Sequence, residues 1–333
     1  MLGTSVVICT YSEERWDQLV AAVASAQAQR APAGEVIVVV DHNASLYEQV
    51  CRELAGVVAV TNTEQRGLSG ARNCGIAVAQ GEIVAFLDDD AVADADWLAY
   101  LGKPFAEARV LGVGGAIEPL WEVEQVRWFP AEFRWVMGCS YAGLPLRPAP
   151  VRNLIGCNMS FRAEALRALG GFRHEIGRVG TRPLGCEETE LCIRLAQRWP
   201  GSLLLYEPRA VVQHRVPATR TTWRYFRQRC YAEGLSKARV SRLVRAQAGL
   251  ASERRQAAAV LPVATLRAVS HGVGQRDGAA FARAGAIVAG LAFTTAGYLS
   301  GAAAERLARR ARPEPLGAVS LPIATPADRE EHA

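Results

Sequence analysis

The 333-residue chain lacks the cysteine spacings and glycine loops that mark several common protein classes. Its eight cysteines are scattered, with no Cys-x-x-Cys pair and no spacing typical of zinc ligands. The first predicted strand is followed by Thr10–Glu14, which contains no glycine, so a dinucleotide-binding oxidoreductase is excluded. No basic region precedes the first apolar run, and we therefore expect no signal peptide, a reducing cytosolic compartment and free thiols.

Acidic residues are scarce near the C-terminus. Between Arg209 and Arg312 there are 19 Lys and Arg but four Asp and Glu, in a chain whose net charge is +5. This asymmetry predicts attraction to an anionic partner. A membrane surface or an anionic lipid fits better than nucleic acid, because aromatic and basic residues are interleaved only in Trp223–Arg227. The alternative is that these arginines lie on solvated helix faces.

The segment from about Thr221 has a helical composition and contains a long uncharged run. Residues 284–304 carry no charge over 21 positions, which is long enough to span a bilayer as a helix. Eight of them are alanine and four are glycine, so their hydropathy is weak, while Gly297-x-x-x-Gly301 permits close helix packing. Three interpretations stay open: a re-entrant hairpin with Ala257–Leu266, an interfacial helix, or a helical bundle packed on the rest of the chain.

The first ninety residues alternate between strand and helix patterns. Apolar runs predict buried strands at Ser5–Thr10, Glu35–Val40, Val57–Thr61 and Glu82–Leu87. Helical patterns separate them at Glu14–Gln29, Leu46–Leu54 and Gly70–Ala79. This alternation predicts an α/β fold with a mostly parallel, Rossmann-like central sheet flanked by helices.

Polar residues directly follow three of these strands. Thr10 ends the first strand, Asp41 follows the second, and the triplet Asp88–Asp90 follows the fourth. Ligands of such sheets bind beyond the carboxyl ends of the strands, so we expect these residues to meet at one site. Adjacent carboxylates repel one another unless a cation or hydrogen bonds compensate them, and Asp88 and Asp90 would point to the same side if the strand geometry continues through them. The alternative is an acidic turn without a ligand.

Beyond residue 111 the pattern is less regular. We predict strands at Gly112–Ile117, Asn153–Arg162, Leu203–Tyr206 and Ala210–His214, a packed loop at Trp121–Pro150, and helices at Ala163–Leu169 and Glu187–Arg198. The chain is therefore expected to contain a catalytic domain over residues 1–215. A basic, Ala-rich helical extension would follow over residues 216–333.

Eight short motifs, taken in order, resemble glycosyltransferase family 2, whose members are inverting enzymes with the GT-A fold. They are Ser5–Tyr11, Val38–Asp41, Arg66–Asn73, Asp88–Asp90, Gly156–Ser160, Gly170–Phe172, Glu187–Glu190 and Val211–His214. Each motif alone is weak, but the ordered set covers roughly residues 4–215 and is specific. The resemblance implies transfer of a sugar from a nucleotide-sugar donor, with Mn²⁺ or Mg²⁺ as the cofactor.

The resemblance also implies roles for individual residues. Those implied to bind the donor are Thr10, Tyr11, Glu13, Asp41, Arg72, Asp88 and Asp89. Those implied to hold the metal are Asp90, Asp88 and His214. A carboxylate such as Asp41 can accept a hydrogen bond from the imide of uracil, which favours a UDP donor.

An inverting transfer needs a carboxylate that takes the proton of the acceptor. The resemblance assigns this base to Glu188, in the pair Glu187-Glu188, where the family usually has Glu-Asp. The longer side chain at this position leaves Glu187 and Glu190 as alternatives. As bare sequence, the same cluster is the acidic first turn of a helix, which the helix dipole stabilises.

Two further segments, Gly185–Arg194 and Tyr231–Lys237, are similar to the glucosyl-dolichyl-phosphate glucuronosyltransferase branch of the family. That branch implies UDP-glucuronate or UDP-glucose as the donor and a polyprenyl-phosphate-linked or glycan acceptor. Together with the basic segment, it leads us to expect an enzyme held at the inner face of the cell membrane, peripherally or monotopically. We expect no nucleic-acid partner.

Two other functions are alternatives to sugar transfer. A haloacid-dehalogenase-type phosphatase would carry an aspartate motif after an apolar strand, as Asp88–Asp90 does. It would also need a lysine before an acidic pair, and neither Lys103 nor Lys237 precedes one. The second alternative is a catalytically inactive sugar-nucleotide-binding protein, against which the intact triplet and Glu187-Glu188 argue.

Overall fold

The computed structural model describes residues 2–178, 184–244 and 256–310. Within them, the strands are β1 (Thr4–Thr10), β2 (Glu35–Val40), β3 (Val58–Thr61), β4 (Ile83–Asp88), β5 (Ala91–Ala93), β6 (Val110–Trp121), β7 (Ala149–Pro150), β8 (Asn158–Arg162) and β9 (Leu203–Val216). The α-helices are α1 (Trp16–Gln27), α2 (Ala44–Glu53), α3 (Leu68–Val78), α4 (Trp97–Gly102), α5 (Ala163–Ala168), α6 (Glu187–Arg198), α7 (Trp223–Leu243), α8 (Leu261–Gln275) and α9 (Gly278–Arg310).

The strands form one sheet in the order β3-β2-β1-β4-β8-β6-β9-β5, with β7 paired to β9. The first four strands of this order pair in parallel, as the sequence predicts. β8 runs antiparallel to both β4 and β6, so the sheet is mixed beyond β4. This mixed half brings the long strands β6 and β9 next to the parallel half.

The parallel strands are apolar on both faces because helices cover both faces of the sheet. Val6 and Ile8 of β1 pack in one hydrophobic cluster with Leu19 of α1. Val7, which lies between them, packs in a second cluster with Ala71 of α3. Burying each such side chain contributes about 1.5–3 kcal/mol to the free energy of folding relative to leaving it exposed. Apolar packing therefore stabilises the sheet without any contribution from charged groups.

The segment predicted as two short strands forms one strand, β9, so that prediction was wrong. β9 pairs in parallel with β6, and a register shift between Gly115 and Ala116 accommodates extra residues opposite them. Glu207 stabilises this irregularity by accepting hydrogen bonds from the backbone and guanidinium groups of Arg209. Pro208 cannot donate to the ladder, which explains why the sequence pattern is interrupted there.

Two other segments differ from their predicted structure. The strand expected at Asn153–Arg162 begins only at Asn158, because a turn closed by the Ile155 carbonyl precedes it. Residues 121–150, expected as a packed loop, contain β7 and a 3-10 helix at Ala131–Met137. That helix buries Phe133 in the core. A helix this short is too brief for apolar periodicity in the sequence to predict it.

The C-terminal helices pack on the α/β body and share its core. Phe226 of α7, Leu261 of α8 and Ile287 of α9 belong to the same hydrophobic cluster as Ile117 of β6. The ring of Phe129 lies 5.3 Å from that of Phe226. The structure therefore contains the packed bundle that was one of the three interpretations of this segment. The predicted domain boundary near residue 215 lies at the end of β9 and stays a prediction.

Small residues let α7 and α9 approach closely. A Cβ at Gly297 would lie 2.0 Å from the carbonyl oxygen of Tyr231, and one at Gly234 would lie 2.1 Å from that of Thr294. A Cβ at Gly301 would lie 2.9 Å from the Cβ of Ala238. The Gly297-x-x-x-Gly301 spacing therefore serves packing between two helices of this chain.

The outer surfaces of α8 and α9 are apolar. Leu266 and Val273 of α8 are each 67% exposed, and Leu299 and Leu307 of α9 are 62% and 65% exposed. Among the helices described, one is long and apolar enough to cross a membrane by length and composition alone. It covers Gly278–Leu307 with a mean hydropathy of 1.4.

Candidate functional site

A cleft of about 380 Å³ opens at the carboxyl ends of the parallel strands. The order β2-β1-β4 brings the ends of three strands together, although these segments are distant in sequence. The predicted site residues that line the cleft are Thr10, Tyr11, Asp41, Arg72, Asp88, Asp89, Asp90, Glu187, Glu188 and His214. Glu13 does not line it. Its carboxylate accepts hydrogen bonds from Asn43 and Ser45 and so supports the loop after β2.

Asp41 is fixed at the end of β2. Its carboxylate accepts hydrogen bonds from Asn62 Nδ2 at 2.6 Å and from the backbone N–H of Gly67 at 3.0 Å. Gly67 adopts a φ of 126°, which favours glycine and lets its N–H face the carboxylate. These bonds orient Asp41 at the edge of the cleft.

The aspartate triplet does not continue the strand. β4 ends at Asp88 and the chain turns at Asp89-Asp90, so the strand geometry that would put Asp88 and Asp90 on one side does not continue. The three adjacent carboxylates repel one another, and each binds different partners, which is consistent with a turn at this point. Asp88 lies 3.6 Å from Arg72 and is the most exposed of the three carboxylates.

Asp89 is buried and holds the turn to the rest of the site. It accepts hydrogen bonds from Thr10 Oγ1 at 2.9 Å and Arg15 Nη1 at 2.8 Å. Burial raises the pKa of Asp89 to about 6, although Arg15 acts in the opposite direction. Both carboxylate oxygens are engaged, so the geometry suits a residue that positions the turn. The predicted role of Asp89 in donor binding stays a prediction.

Asp90 lies in a buried network with two basic side chains. Its oxygens are 3.2 Å from His214 Nε2 and 3.4 Å from Arg220 Nη2. Burial alone would raise its pKa, but the charges of His214 and Arg220 hold the pKa of Asp90 well below its usual range. Burial alone would lower the pKa of His214, but the charge and hydrogen bond of Asp90 have the larger effect and raise it to about 9.

The residues beside this network fit a divalent cation. Ligand atoms of Asp88, Cys157 and His214 lie within 4.8 Å of one another, and Asp90 contacts the same histidine. Oxygen and imidazole donors suit Mn²⁺, and oxygen donors suit Mg²⁺. Burial raises the pKa of the Cys157 thiol well above its usual value, so this side chain stays protonated and is a poor ligand. His214, whose pKa is raised to about 9 beside Asp90, would have to lose its proton to bind a cation.

Arg72 is a buried cation that lines the cleft. Its guanidinium donates to Glu187 Oε1 at 2.9 Å and to the Gly156 carbonyl at 3.2 Å. The aromatic rings of Phe86 and Phe172 lie 5.7 Å and 5.3 Å from it. Arg72 is 2% exposed and Glu187 is 4% exposed, so Glu187 depends on Arg72 for compensation, while Arg72 also has the more distant Asp88 at 3.6 Å.

The first turn of α6 places the carboxylate of Glu188 in the cleft. Cys186, which precedes the helix, has a φ of 73°, a strained value for a residue with a side chain. Glu188 is half-buried in the cleft and forms no ion pair with any residue that the structure describes. Burial and the neighbouring charge of Glu187 raise the pKa of Glu188 to about 8.

The other two acids of this turn are already paired. Glu187 binds Arg72, and the fully buried Glu190 lies 2.8 Å from Arg194 and 2.9 Å from Arg173. The geometry therefore favours Glu188 over both alternatives as the carboxylate that can accept a proton.

Sequence analysis missed several cations that line the cleft. They are Arg15, Arg178, Arg220, Arg229 and Lys237. The excess of Lys and Arg beyond residue 209 was the signal for the last three, but composition does not tell which of them face inward. No sequence signal indicated Arg15, whose partner Asp89 is 74 positions away.

Comparisons with known proteins agree with this architecture. The family model described as Glycosyl transferase family 2 matches residues 5–170. The chain is 33% identical over 240 residues to the glucosyl-dolichyl phosphate glucuronosyltransferase of Haloferax volcanii, covering 71% of this chain and 76% of that protein.

Two solved structures are similar and confirm the GT-A fold. The mannosyltransferase PcManGT from Pyrobaculum calidifontis, in complex with GDP-Man and Mn²⁺, has a TM-score of 0.57 and 21% identity, covering 92% of this chain and 87% of that one. GalNAc-T7 with UDP, GalNAc and Mn²⁺ has a TM-score of 0.52 and 19% identity, covering 71% and 48%.

The buried pair Arg72–Glu187 generates a prediction about stability. We expect Arg72→Met to lower the free energy of unfolding by about 3–5 kcal/mol, because it leaves Glu187 buried without its cation. The double variant Arg72→Met/Glu187→Met removes both charges and should regain most of this loss. Urea unfolding followed by circular dichroism measures the three proteins.

The matched control is Arg52→Met, because the Arg52 side chain is 66% exposed and pairs only with an exposed carboxylate. It should change the free energy of unfolding by less than about 0.5 kcal/mol. An equal loss in the single and double Arg72 variants would contradict the proposed compensation.

Proposed function

The chain belongs to glycosyl transferase family 2, and we propose that it transfers a sugar, with inversion, from a UDP-sugar to a lipid-linked or glycan acceptor. The observation that carries the proposal is Glu188, a carboxylate in the same cleft as Asp88–Asp90 that forms no ion pair within the described part of the chain. Membership of the family makes the chain a glycosyltransferase. It thereby decides against a phosphatase and an inactive binding protein.

Asp41 supports UDP as the nucleotide of the donor. A carboxylate offers about four acceptor positions, so Asp41 can accept from a uracil imide while it holds Asn62 and Gly67. Thr10 and Tyr11 line the same part of the cleft. The name of the Haloferax relative supports UDP-glucuronate as the sugar donor, with UDP-glucose as the alternative.

A divalent cation, Mn²⁺ or Mg²⁺, would be held by Asp88, Asp90 and His214. When bound, it would act as a Lewis acid that compensates the charge of the departing diphosphate. The proximity of these ligand groups supports the proposal, as does the Mn²⁺ in both solved relatives.

The protein's own residues account for the proton transfer. Glu188 takes the proton of the acceptor hydroxyl while the acceptor oxygen forms a bond to the anomeric carbon. The bond from that carbon to the diphosphate breaks on the opposite face, and its electron pair leaves with UDP. A pKa of about 8 makes Glu188 a stronger base than an ordinary glutamate, close to the operating pH at which general bases are most effective.

The C-terminal helices support an acceptor that is anchored in a membrane. Leu261 of α8 and Leu291 of α9 line the cleft, and Leu291 is also 38% exposed. The apolar outer surface of α8 and α9 therefore reaches the site of reaction. We infer that this surface rests on the inner face of the cell membrane, where each nearby Lys or Arg contributes about 1 kcal/mol of attraction to anionic lipids. A polyprenyl-phosphate-linked sugar is the acceptor that suits this geometry.

The metal proposal predicts the effect of Asp90→Asn. This variant should lose Mn²⁺-dependent binding of UDP while remaining folded, because a neutral amide does not replace a charged ligand. Calorimetric titration with UDP and Mn²⁺ measures the affinity, and Asp94→Asn, at an exposed acid nearby, is the control. Unchanged affinity in Asp90→Asn would show that the ligand set is wrong.

The base proposal predicts a loss of rate and of pH dependence. Glu188→Gln should bind the donor normally and transfer sugar roughly 10²–10⁴-fold more slowly. Because the carboxylate is the active form and its pKa is raised to about 8, the wild-type kcat should rise with pH and level off above about 8. The variant should lack this rise in the pH profile of transfer.

Glu190→Gln is the control within the same helical turn, because Glu190 is paired with two arginines. It should keep the pH-dependent rise. A larger loss of kcat in Glu187→Gln or Glu190→Gln than in Glu188→Gln would contradict the choice of base.

The membrane proposal predicts flotation of the full chain with liposomes that contain phosphatidylglycerol. The triple variant Leu266→Gln/Val273→Gln/Leu299→Gln should stay at the bottom of the gradient with an unchanged melting temperature, because its altered side chains are exposed. Leu146→Gln is the control, since Leu146 is 93% exposed outside the C-terminal helices. Equal flotation of the triple variant and the wild type would refute attachment through α8 and α9.

A further inference from the structure

One wall of the cleft carries three cations that the proposed reaction does not use. We name Arg178, Arg229 and Lys237 the cation cluster. Arg229 and Lys237 lie on one face of α7, and Glu233 between them is 3.3 Å from the first and 3.6 Å from the second. The carboxylate of Glu233 is thus shared by two cations that line the cleft.

Arg178 is the least compensated member of the cluster. In the described part of the chain, no carboxylate lies within ion-pair distance of its half-buried guanidinium. Burial lowers the pKa of Arg178, and the charges of Arg229 and Arg220 act in the same direction, while the charge of Asp88 opposes them. A partly desolvated cation beside like charges destabilises the fold unless an anion joins it.

The cation cluster lies beside the proposed base. Cys186 Sγ donates to Glu233 Oε1 at 3.3 Å, and Gly185 N–H donates to Ser236 Oγ at 3.2 Å. A Cβ at Gly185 would lie 3.3 Å from a terminal nitrogen of Arg229. These contacts fix α7 against the residues that immediately precede Glu187 and Glu188. The cluster is therefore near the position that the acceptor hydroxyl must occupy.

Other groups in the same cleft already have a proposed role. Asp88, Asp90 and His214 are the proposed metal ligands, and Arg220 compensates Asp90. The apolar Leu261 and Leu291 lie instead on the wall formed by the C-terminal helices, as do Arg229 and Lys237. A ligand that contacts Glu188, three cations and an apolar surface combines a sugar hydroxyl, an anion and a hydrocarbon chain.

We propose that the cation cluster binds the phosphodiester of the acceptor. The sugar hydroxyl of the acceptor would then contact Glu188, and its lipid chain would extend out of the cleft along Leu291. This inference rests on the proposed function in that it needs a phosphate-linked lipid acceptor. Arginine guanidinium groups suit phosphate oxygens because their N–H donors lie in one plane, and lysine adds a point charge.

The test compares two acceptors in the full-length enzyme with UDP-glucuronate and Mn²⁺. One is a short-chain isoprenyl phosphoglucose, and the other is octyl glucoside, which has no phosphate. In Arg178→Gln, the ratio of kcat/KM for the first acceptor to that for the second should fall by roughly 10–100-fold, because the variant loses one charge-assisted hydrogen bond to the phosphate. Arg178→Lys should retain part of this preference.

Two further measurements separate binding from folding and from catalysis. The melting temperature of Arg178→Gln should be unchanged or higher, because the substitution removes a half-buried cation that lies near the like charges of Arg229 and Arg220. Calorimetric titration with dihexyl phosphate, a soluble phosphodiester, should detect binding to the wild type and not to Arg178→Gln. Arg109→Gln, at an arginine that is 67% exposed, should resemble the wild type in each measurement.

The outcomes distinguish this inference from the proposed function. If Arg178→Gln weakens the affinity for UDP and leaves the preference between acceptors unchanged, the cluster binds the donor diphosphate and the inference is overturned. Equal binding of dihexyl phosphate to the wild type and the variant overturns it as well. If dihexyl phosphate binds through Arg178 but no UDP-sugar supports transfer, the phosphate site stands and the proposed function fails.

Discussion

The ion pair between Arg72 and Glu187 is the interaction on which the arrangement of the cleft depends. It joins α3, which covers the parallel half of the sheet, to the first residue of α6, over a distance of 2.9 Å. Both side chains are buried, so neither can lose its partner without leaving a charge in a medium that solvates it poorly. Because Glu188 is the next residue, the same pair fixes the position of the proposed base relative to Asp88.

Most charges around the cleft are compensated, and two side chains for which the described residues supply no ion pair take part in the proposed chemistry. Asp89 is bound by Arg15, Asp90 by His214 and Arg220, and Glu190 by two arginines. Among the residues that the structure describes, Glu188 and Arg178 line the cleft without an oppositely charged partner. Uncompensated buried charges reduce stability and are therefore concentrated where a substrate or a proton uses them. This is the physical reason for assigning the acceptor to the neighbourhood of these two side chains.

The C-terminal helices combine two properties that appeared as alternatives in the sequence. Their inner surface completes the hydrophobic core through Phe226 and Ile287, and their outer surface exposes Leu266 and Leu299. Their basic residues divide in the same way, since Lys237 lines the cleft and Arg224 is exposed. A helix has more than one face, so packing on the catalytic body and contact with a membrane are compatible.

The sequence by itself determined the parallel strands, the α6 helix at Glu187–Arg198 and the membership of the family. These features depend on local periodicity and on short ordered motifs, and the fold comparisons confirm them. Tertiary structure decided which carboxylates are paired, because Asp90 meets Arg220 across 130 positions and Arg72 meets Glu187 across 115. It also merged two predicted strands into β9 and turned Arg178 and Arg229 toward the cleft. Local patterns predict the conformation of a segment, but the charge state and role of a side chain depend on neighbours that only the folded chain brings together.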